Sequence, residues 1–325
     1  PRLPGALRPA LGWRNRASPG LAGAAVRVGA IDIGTNSMRL LVAEVTDGDV
    51  QWLDRRTTVT GLGVGVDADG RLDESAVDRT IGVLAGYGRA MAEAGVVARR
   101  GIATSATRDA ANREEFLDRA ELALGFRPEV VTGEEEAALA FAGATRAVDA
   151  APPYVVIDIG GGSTEFVLGT DHPEYRTSVD IGSVRLTDRI LKDRPASPEQ
   201  LAFAQDAAAD ALAGVDLPSV PEHVIGVAGT FTSLSAVSQD LPAYDPGRVH
   251  GSTLTVPRLS ELVLYLSLLT VEETAAIPSM DPARAPVILA GAVVAAEAVR
   301  RCGVDTVHVS EHDSLDGIAL ALASA

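Results

Sequence analysis

Two short stretches of the chain carry the same residue types at the same spacing. Residues 28–40 read VGAIDIGTNSMRL, and residues 154–166 read YVVIDIGGGSTEF. Each stretch has an apolar run that ends near one carboxylate, Asp32 or Asp158, followed by a turn of small residues and a second apolar run. This pattern predicts a strand, a tight turn and an antiparallel strand in both places. Two such hairpins indicate two related domains that face each other across a cleft.

Both turns have the composition of a phosphate-binding loop. Because their residues have little side-chain bulk, backbone N–H groups can approach phosphate oxygens closely, and hydroxyl groups add further donors. An ordinary hairpin turn is the alternative for either stretch alone, but the repetition favours phosphate binding. The predicted phosphate-binding residues here are Gly34, Thr35, Asn36, Ser37, Gly160, Gly161, Gly162, Ser163 and Thr164.

The two carboxylates at the strand ends are predicted metal ligands. A buried carboxylate is costly unless it meets a positive partner. Mg²⁺ suits Asp32 and Asp158, because it takes oxygen ligands, keeps several waters and accepts substrate phosphates; capping of a neighbouring turn is the alternative. Glu165 holds the place that Arg39 takes in the first copy, and it is predicted to provide a second metal contact or to position water. Arg39 either binds phosphate or lies on the surface.

Other candidates follow predicted strands. Arg108 ends the stretch ATSATR at a strand-to-helix transition, where a guanidinium either clasps phosphate or remains solvated. Gly229 and Thr230 form a third glycine turn before a helix, a position that suits anions. The acids at 134–136 begin a helix and complement its dipole, unless one of them points at a water in line with a phosphoryl group. The pair His312-Asp313 is interpreted as structural, because the five scattered histidines supply no metal-ligand set.

The order of predicted elements indicates an α/β chain of two domains with mixed sheets. We expect a disordered tail at 1–25, a first domain at 26–145 and a second domain at 146–312, with a terminal helix near 313–325 that packs back on the first. Glycines at 61, 63 and 65 resemble a dinucleotide fingerprint, but a predicted turn at 67–70 follows them instead of a helix. The predicted strands are 27–33, 37–45, 50–60, 100–104, 127–131, 154–159, 164–168, 175–179, 224–228 and 306–309. The predicted helices are 73–94, 112–124, 134–144, one from 197, one from 232, 259–269, 286–301 and 315–322.

Composition excludes several classes of protein. A net charge of −16 argues against a large nucleic-acid footprint, and 4% aromatic residues provide few base-stacking platforms. A small anionic substrate remains compatible with that charge, because a few arginines, N–H groups and Mg²⁺ reverse the potential locally. The single Cys302 permits no internal disulfide and fits a cytoplasmic setting. The longest strongly apolar stretch, 286–296, is too short to span a membrane.

Taken in order, these motifs resemble the exopolyphosphatase / guanosine pentaphosphate phosphohydrolase (Ppx/GppA) family in its short, two-domain form. The matching blocks are DIGTNS at 32–37, ATSATR at 103–108, GEEEA at 133–137, DIGGGSTE at 158–165, DIGSVR at 180–185 and Gly229-Thr230. The resemblance covers nearly everything after Val26. It implies an actin-like (ASKHA, ribonuclease H-like) fold.

The resemblance also implies residue roles. Glu136 would orient or deprotonate the attacking water, and Asp158 and Glu165 would serve a site for Mg²⁺ or Mn²⁺. The glycine turns and Arg108 would hold the phosphates at the chain end. The implied reaction is Mg²⁺-assisted hydrolysis that releases terminal orthophosphate from linear polyphosphate. Guanosine pentaphosphate hydrolysis is the first alternative, and a non-hydrolytic, actin-like nucleotide-binding protein is the second. A homodimer is a family-level expectation.

The sequence departs from the family pattern at two places. Ala138 stands where the family usually has Arg, two residues after the catalytic Glu, so one cationic contact is lost. Leu315-Asp-Gly317 replaces a family Arg-Glu-Gly. We expect the lost contact at Ala138 to weaken affinity for long polyanions, and the short form of the family to lack a long polyphosphate channel; both favour action on short chains.

Overall fold

The computed structural model describes residues 25–146 and 152–324. The strands are β1 (Val26–Ile33), β2 (Ser37–Thr46), β3 (Asp49–Val59), β4 (Ala98–Ala103), β5 (Glu129–Val130), β6 (Tyr154–Ile159), β7 (Thr164–Gly169), β8 (Pro173–Val179), β9 (His223–Val227), β10 (Thr253–Thr255) and β11 (Thr306–Val309). The helices are α1 (Val66–Asp69), α2 (Glu74–Glu93), α3 (Ser105–Asp109), α4 (Arg113–Leu124), α5 (Gly133–Arg146), α6 (Ser183–Arg189), α7 (Pro198–Leu212), α8 (Ala228–Ser238), α9 (Pro246–Val249), α10 (Val256–Ser267), α11 (Val271–Ala275), α12 (Ile288–Arg301) and α13 (Ser314–Ala323).

The strands form two mixed sheets of related topology. The first has the order β3-β2-β1-β4-β5 and the second the order β10-β11-β9-β6-β7-β8. In each sheet an antiparallel meander of three strands begins at the central strand, β1 or β6, and the next strand in the sheet runs parallel to that central strand. The central strand β6 is buried along its whole length, as expected of a strand covered on both faces. The prediction of two mixed α/β sheets is confirmed.

Helices cover both faces of each sheet and complete the cores. Helices α2 and α4 pack on one face of the first sheet, and α13 packs on the other. Helix α5 lies against the second sheet and against α13. The two helices cross closely at two glycines, since a Cβ at Gly143 would lie 1.9 Å from the carbonyl oxygen of Asp313, and a Cβ at Gly317 would lie 2.0 Å from that of Leu139. This crossing joins α13, which packs on the first sheet, to α5, which packs on the second.

Several elements differ from the sequence-based predictions. Residues 66–69 form the one-turn helix α1 where a turn was predicted, because Gly65 and Gly70 both adopt the left-handed conformation and bracket a single turn. Helix α8 begins at Ala228 instead of near 232, so Gly229 and Thr230 belong to its first turn. The predicted strand at 127–131 shrinks to the two residues of β5. Of the predicted tail 1–25, only Ala25 belongs to the described residues.

The capping motif predicted at residues 197–200 is confirmed as the start of α7. Ser197 accepts the N–H of Gln200, while the Gln200 side chain accepts the N–H of Ser197. Short elements that carry little periodicity were not predicted, namely α3, α6, α9, α11 and β10. No helix within the described ranges is long and apolar enough to cross a bilayer.

Candidate active site

The two hairpins have matching turns. The N–H of Gly34 donates to the carbonyl of Ser37 at 3.1 Å, and the N–H of Gly160 donates to that of Ser163 at 3.0 Å. In register, Asp32 lies directly opposite Arg39, and Asp158 lies directly opposite Glu165. The alignment of the two copies, which placed Glu165 at the position of Arg39, is confirmed.

The two turns also touch each other. A Cβ at Gly161 would lie 2.9 Å from Cβ of Thr35, and one at Gly162 would lie 2.4 Å from Oγ of Ser105. Residues without side chains at these positions therefore let the two turns approach. The hydroxyl of Thr35 is fixed because it accepts the N–H of Ala106 at 3.2 Å.

The turns line a cleft of about 550 Å³, counting the space open to solvent. Its wall includes most of the predicted site residues: Asp32, Gly34, Thr35, Asn36, Ser37, Glu136, Asp158, Gly160, Gly161, Gly162, Ser163, Gly229 and Thr230. Groups that are far apart in sequence thus meet in one place. The structure brings together three glycine turns and three acids.

Among the predicted residues, Arg108, Thr164 and Glu165 do not line the cleft. Arg108 lies beside Glu136, with Nη1 at 3.9 Å from Oε2 of Glu136 and 3.0 Å from the carbonyl of Val131. Thr164 is fully buried, and its hydroxyl donates to the carbonyl of Ile181 at 2.6 Å. Its side chain therefore fixes the backbone instead of serving as the expected phosphate donor. Glu165 is buried behind the cleft wall, where it accepts a hydrogen bond from Ser178 at 2.8 Å.

Glu136 is distinguished by the structure from the two acids that precede it. Thr132 accepts the N–H groups of Glu135 and Glu136 and so fixes the first turn of α5. Glu134 and Glu135 are exposed, whereas Glu136 is buried, and its Oε2 has no hydrogen-bond partner among the described residues. Burial raises the pKa of Glu136 well above its usual value, and the negative charges of Glu165, Asp32 and Asp158 add to this effect.

The pair formed by Asp158 and Glu165 is electrostatically unfavourable without a cation. Burial raises the pKa of each carboxyl, and for Asp158 the neighbouring charge of Glu165 raises it further, against the opposing charge of Arg39. In the other hairpin, Asp32 is neutralised by an ion pair with Arg39. The two jaws of the cleft therefore differ in charge at equivalent positions.

Arg39 is largely enclosed in an ion-pair network, with its side chain 14% exposed, so the surface alternative for this residue is wrong. Its guanidinium also binds Asp313 and donates to the hydroxyl of Ser314 at 3.0 Å. Asp313 caps α13 by accepting the N–H of Leu315 at 2.9 Å, which agrees with a structural role, but it also lies beside the cleft through Arg39. Sequence reasoning missed this connection because the residues of α13 are far from the first hairpin in sequence.

The family departure at 315–317 has a structural counterpart. Leu315 is fully buried in the core between α13 and the first sheet. The next residue, Asp316, forms an ion pair with Arg55 of β3, with Nη1 of Arg55 at 3.0 Å from Oδ2. Trp52 donates to the other oxygen of Asp316 at 2.7 Å.

Arg284 is a second residue that the sequence analysis missed. It lies in a short 3-10 turn, Pro282–Arg284, lines the cleft and packs over the backbone of Gly229. It forms no ion pair within the described ranges. No motif surrounds it, so only the folded structure identifies it. Thr104, Ser183 and Ala228 also line the cleft without having been predicted.

The carboxylates fit a divalent cation that shares its ligands with substrate. No group of three or more His, Cys, Asp or Glu side chains in the described part of the chain is placed to hold a metal ion by itself. Mg²⁺ does not need one, because it keeps waters and completes its shell with phosphates. Oδ1 of Asp32 and Oε2 of Glu165 are buried without hydrogen-bond partners among the described residues, and such oxygens suit a cation. We therefore find the donor set compatible with an open metal site.

Comparison with known proteins agrees with this site. The chain is 41% identical to exopolyphosphatase 2 of Mycobacterium tuberculosis over 92% of its length and 99% of that protein. Among solved structures, an exopolyphosphatase-like protein superposes with a TM-score of 0.87 at 36% identity, covering 91% of this chain and 97% of the other. A Ppx/GppA family member of Aquifex aeolicus superposes with a TM-score of 0.78 at 32% identity, over 92% and 97% of the two chains. The expected actin-like fold, with two mixed sheets facing across a cleft, is confirmed. Residues 41–324 match the model of the Ppx/GppA phosphatase family, and the chain belongs to this family.

Proposed function

We propose that this chain is an exopolyphosphatase that releases terminal orthophosphate from linear polyphosphate by attack of water. The observation that carries the proposal is the position of Glu136 in the wall of a cleft formed by phosphate-sized turns. This buried acid has one oxygen that accepts no hydrogen bond among the described residues. The names of the relatives point to the same substrate.

In this proposal the end of the polyphosphate chain lies between the two hairpin turns. The N–H groups of the two turns would bind its oxygens, except those of Gly34 and Gly160, which close the turns. Backbone N–H groups at Gly229 and Thr230 in the first turn of α8 would add further donors. Arg39 and Arg284 would add positive charge along the cleft wall. Arg108 would act through Glu136, because it lies beside that carboxylate.

Asp32, Asp158 and Glu165 would hold a divalent cation, which we propose to be Mg²⁺ or Mn²⁺. When bound, the cation would neutralise phosphate charge in the ground state and in the transition state. It would also relieve the repulsion between Asp158 and Glu165.

Glu136 would accept a proton from the attacking water. The water oxygen forms a bond to the terminal phosphorus, the bridging P–O bond breaks, and the shortened chain leaves with the bridging oxygen. The raised pKa makes Glu136 a stronger base than an exposed carboxylate, which suits this role.

Preference for short chains is part of the proposal. Ala138 is half-buried on α5 and offers no charge where the family usually has Arg. A long polyanion therefore loses one cationic contact. We also propose a cytoplasmic location, because the lone Cys302 is a buried free thiol.

The test is phosphate release from tripolyphosphate, long polyphosphate and guanosine pentaphosphate, measured in parallel with Mg²⁺. We expect tripolyphosphate to be cleaved most efficiently. Cleavage of the nucleotide alone would replace this proposal with the alternative function. Glu136→Gln should lower kcat by roughly 10²–10⁴-fold, the usual contribution of a general base, whereas Glu135→Gln on the same helical turn should leave it nearly unchanged.

A further inference from the structure

Arg185 joins three separate elements behind the cleft. It lies on α6, and its Nε donates to the carbonyl of Gly162 at 2.8 Å. Its Nη1 lies 2.7 Å from Oδ1 of Asp67 on α1, and its Nη2 lies 2.7 Å from Oδ2 of Asp109 on α3. One guanidinium thus connects the turn of the second hairpin with two helices of the first half, α1 after β3 and α3 after β4.

We propose that Arg185 is a positioning residue that holds the second phosphate turn against the first. It would set the affinity for substrate without touching substrate. This inference rests on the proposed function of the two turns as phosphate-binding loops.

Arg185 lies outside the cleft wall, so it acts through the turns. It lines a smaller cavity of about 250 Å³, counting space open to solvent. Thr35 and Gly162 line both this cavity and the cleft, so they separate the two spaces. A guanidinium that fixes Gly162 from behind therefore fixes a residue whose other side faces the substrate.

The connection also reaches the first turn. Helix α3 carries Asp109, which binds Arg185, and Ala106, whose N–H donates to the hydroxyl of Thr35. Arg185 thereby connects Gly162 to Thr35 through α3. Because Gly162 already lies in close contact with Ser105, a shift of this turn changes how its N–H groups are directed.

Arg189 provides a matched comparison within the same helix. It also binds Asp67, with Nε at 2.6 Å from Oδ2, but its side chain is 51% exposed and forms no hydrogen bond with the turn among the described residues. The Arg185 side chain is only 14% exposed. Exposed ion pairs contribute little, whereas a largely enclosed guanidinium with acceptors on three elements fixes geometry. If ion pairing between the halves were sufficient, both arginines would matter equally.

The experiment compares Arg185→Gln, Arg185→Lys and Arg189→Gln in the full chain. We expect Arg185→Gln to raise KM for tripolyphosphate about tenfold, with a smaller change in kcat, because bound and transition states both lose the same contacts. Backbone hydrogen exchange at 34–37 and 160–163 should become faster in the same variant. Arg189→Gln should stay within about twofold of the parent KM, as surface pairs usually do. Lysine cannot make the three bonds together, so it should restore KM only in part.

Hydrogen exchange keeps this inference separate from the proposed function. If the parent protein fails to cleave polyphosphate, the proposed function fails, while the exchange rates still test Arg185. Unchanged exchange at both turns in Arg185→Gln, or equal effects of the two arginine variants, would overturn the inference. If Arg185→Gln does not fold, Asp109→Asn removes one of the two charged acceptors of Arg185 and should show the same effects in weaker form.

Discussion

Asp32 and Asp158 occupy equivalent positions in the two hairpins but have opposite neighbours. Directly across the strands, Asp32 meets the cation Arg39 and Asp158 meets the anion Glu165. Residues opposite each other in antiparallel strands share a face, so charge complementarity is set by a single position. The first jaw therefore pairs one oxygen of its carboxylate with an arginine, whereas the second jaw places two carboxyl groups opposite each other.

Arg284 is expected to contribute charge to substrate binding, because it lines the cleft and forms no ion pair among the described residues. We predict that Arg284→Gln raises KM for tripolyphosphate about tenfold, with kcat changed little, since a contact made equally in both states affects KM. Steady-state kinetics check this. Arg300→Gln, an exposed arginine of α12 paired with Glu297, is the control and should leave KM unchanged. An equal response of the two variants would remove Arg284 from the site.

Metal binding should stabilise the protein more at high pH than at low pH. The pKa values of Asp158 and Glu165 are raised to about 8 and about 7, from ordinary values near 3.8 and 4.5. At pH values between the ordinary and the raised pKa values, the folded chain binds more protons than the unfolded chain. The stability of the metal-free protein therefore falls as pH rises through this interval. Mg²⁺ binds the deprotonated carboxylates, so its effect grows over the same interval.

Thermal unfolding measures this difference. We expect Mg²⁺ at millimolar concentration to raise Tm by about 3 °C or more at about pH 8, and by much less at about pH 5. Asp158→Asn should lose most of the increase. A shift that is equal at both pH values would contradict the assignment of these carboxylates as metal ligands.

The residues of the site were predictable where local pattern carries the information. The hairpin turns, Asp32, Asp158 and Glu165 follow from repeated residue types and spacing. Arg284, which lines the cleft, and the contact of Asp313 with Arg39 did not follow, because both depend on tertiary packing and no local motif marks them. Thr164 shows the converse: its composition suits phosphate, but its hydroxyl is bound to Ile181.

At the scale of elements, long strands and helices with clear apolar patterns were predicted, and short ones were not. Strand β11 and the capped start of α7 match the expectations, because an apolar run and a capping motif are each formed by residues close together in sequence. Helices α3 and α6 are short, and interactions with the opposite half of the molecule hold them. Helix α6, which was not predicted, carries Arg185, the residue proposed to position the second turn.

The crossing of α5 and α13 depends on Gly143. A Cβ there would lie 1.9 Å from a backbone carbonyl, which cannot move as a flexible side chain would. We predict that Gly143→Ala destabilises the protein by about 1–3 kcal/mol, because overpacking exceeds the gain in helix propensity. Gly82→Ala on α2, where a Cβ meets nothing within 4 Å, should be neutral or stabilising by up to about 1 kcal/mol. Urea unfolding distinguishes the two, and similar effects would exclude close packing as the reason for Gly143.

For the whole molecule, the two sheets share their covering helices. Helix α13 follows the second sheet in sequence but buries Leu315, Ile318 and Ala319 against the first. Helix α5 contributes Leu139 to that same core and Phe141 to the core of the second sheet. If either half unfolds, the other loses part of its core, because α5 contributes to both cores and packs against α13.

This sharing predicts that both halves unfold in one transition. Hydrogen exchange in β1 and β6 should report the same free energy of opening, and calorimetry should give a single peak, as expected for a cooperative unit. Two resolved transitions, or exchange free energies that differ by more than about 2 kcal/mol, would contradict the shared core. Leu315→Ala tests the connection directly: it should lower the stability of both strands by about 2–5 kcal/mol, the cost of truncating a buried leucine, although its side chain contacts only the first core. Leu262→Ala, buried in the second half, is the matched substitution and should likewise lower the stability of both strands.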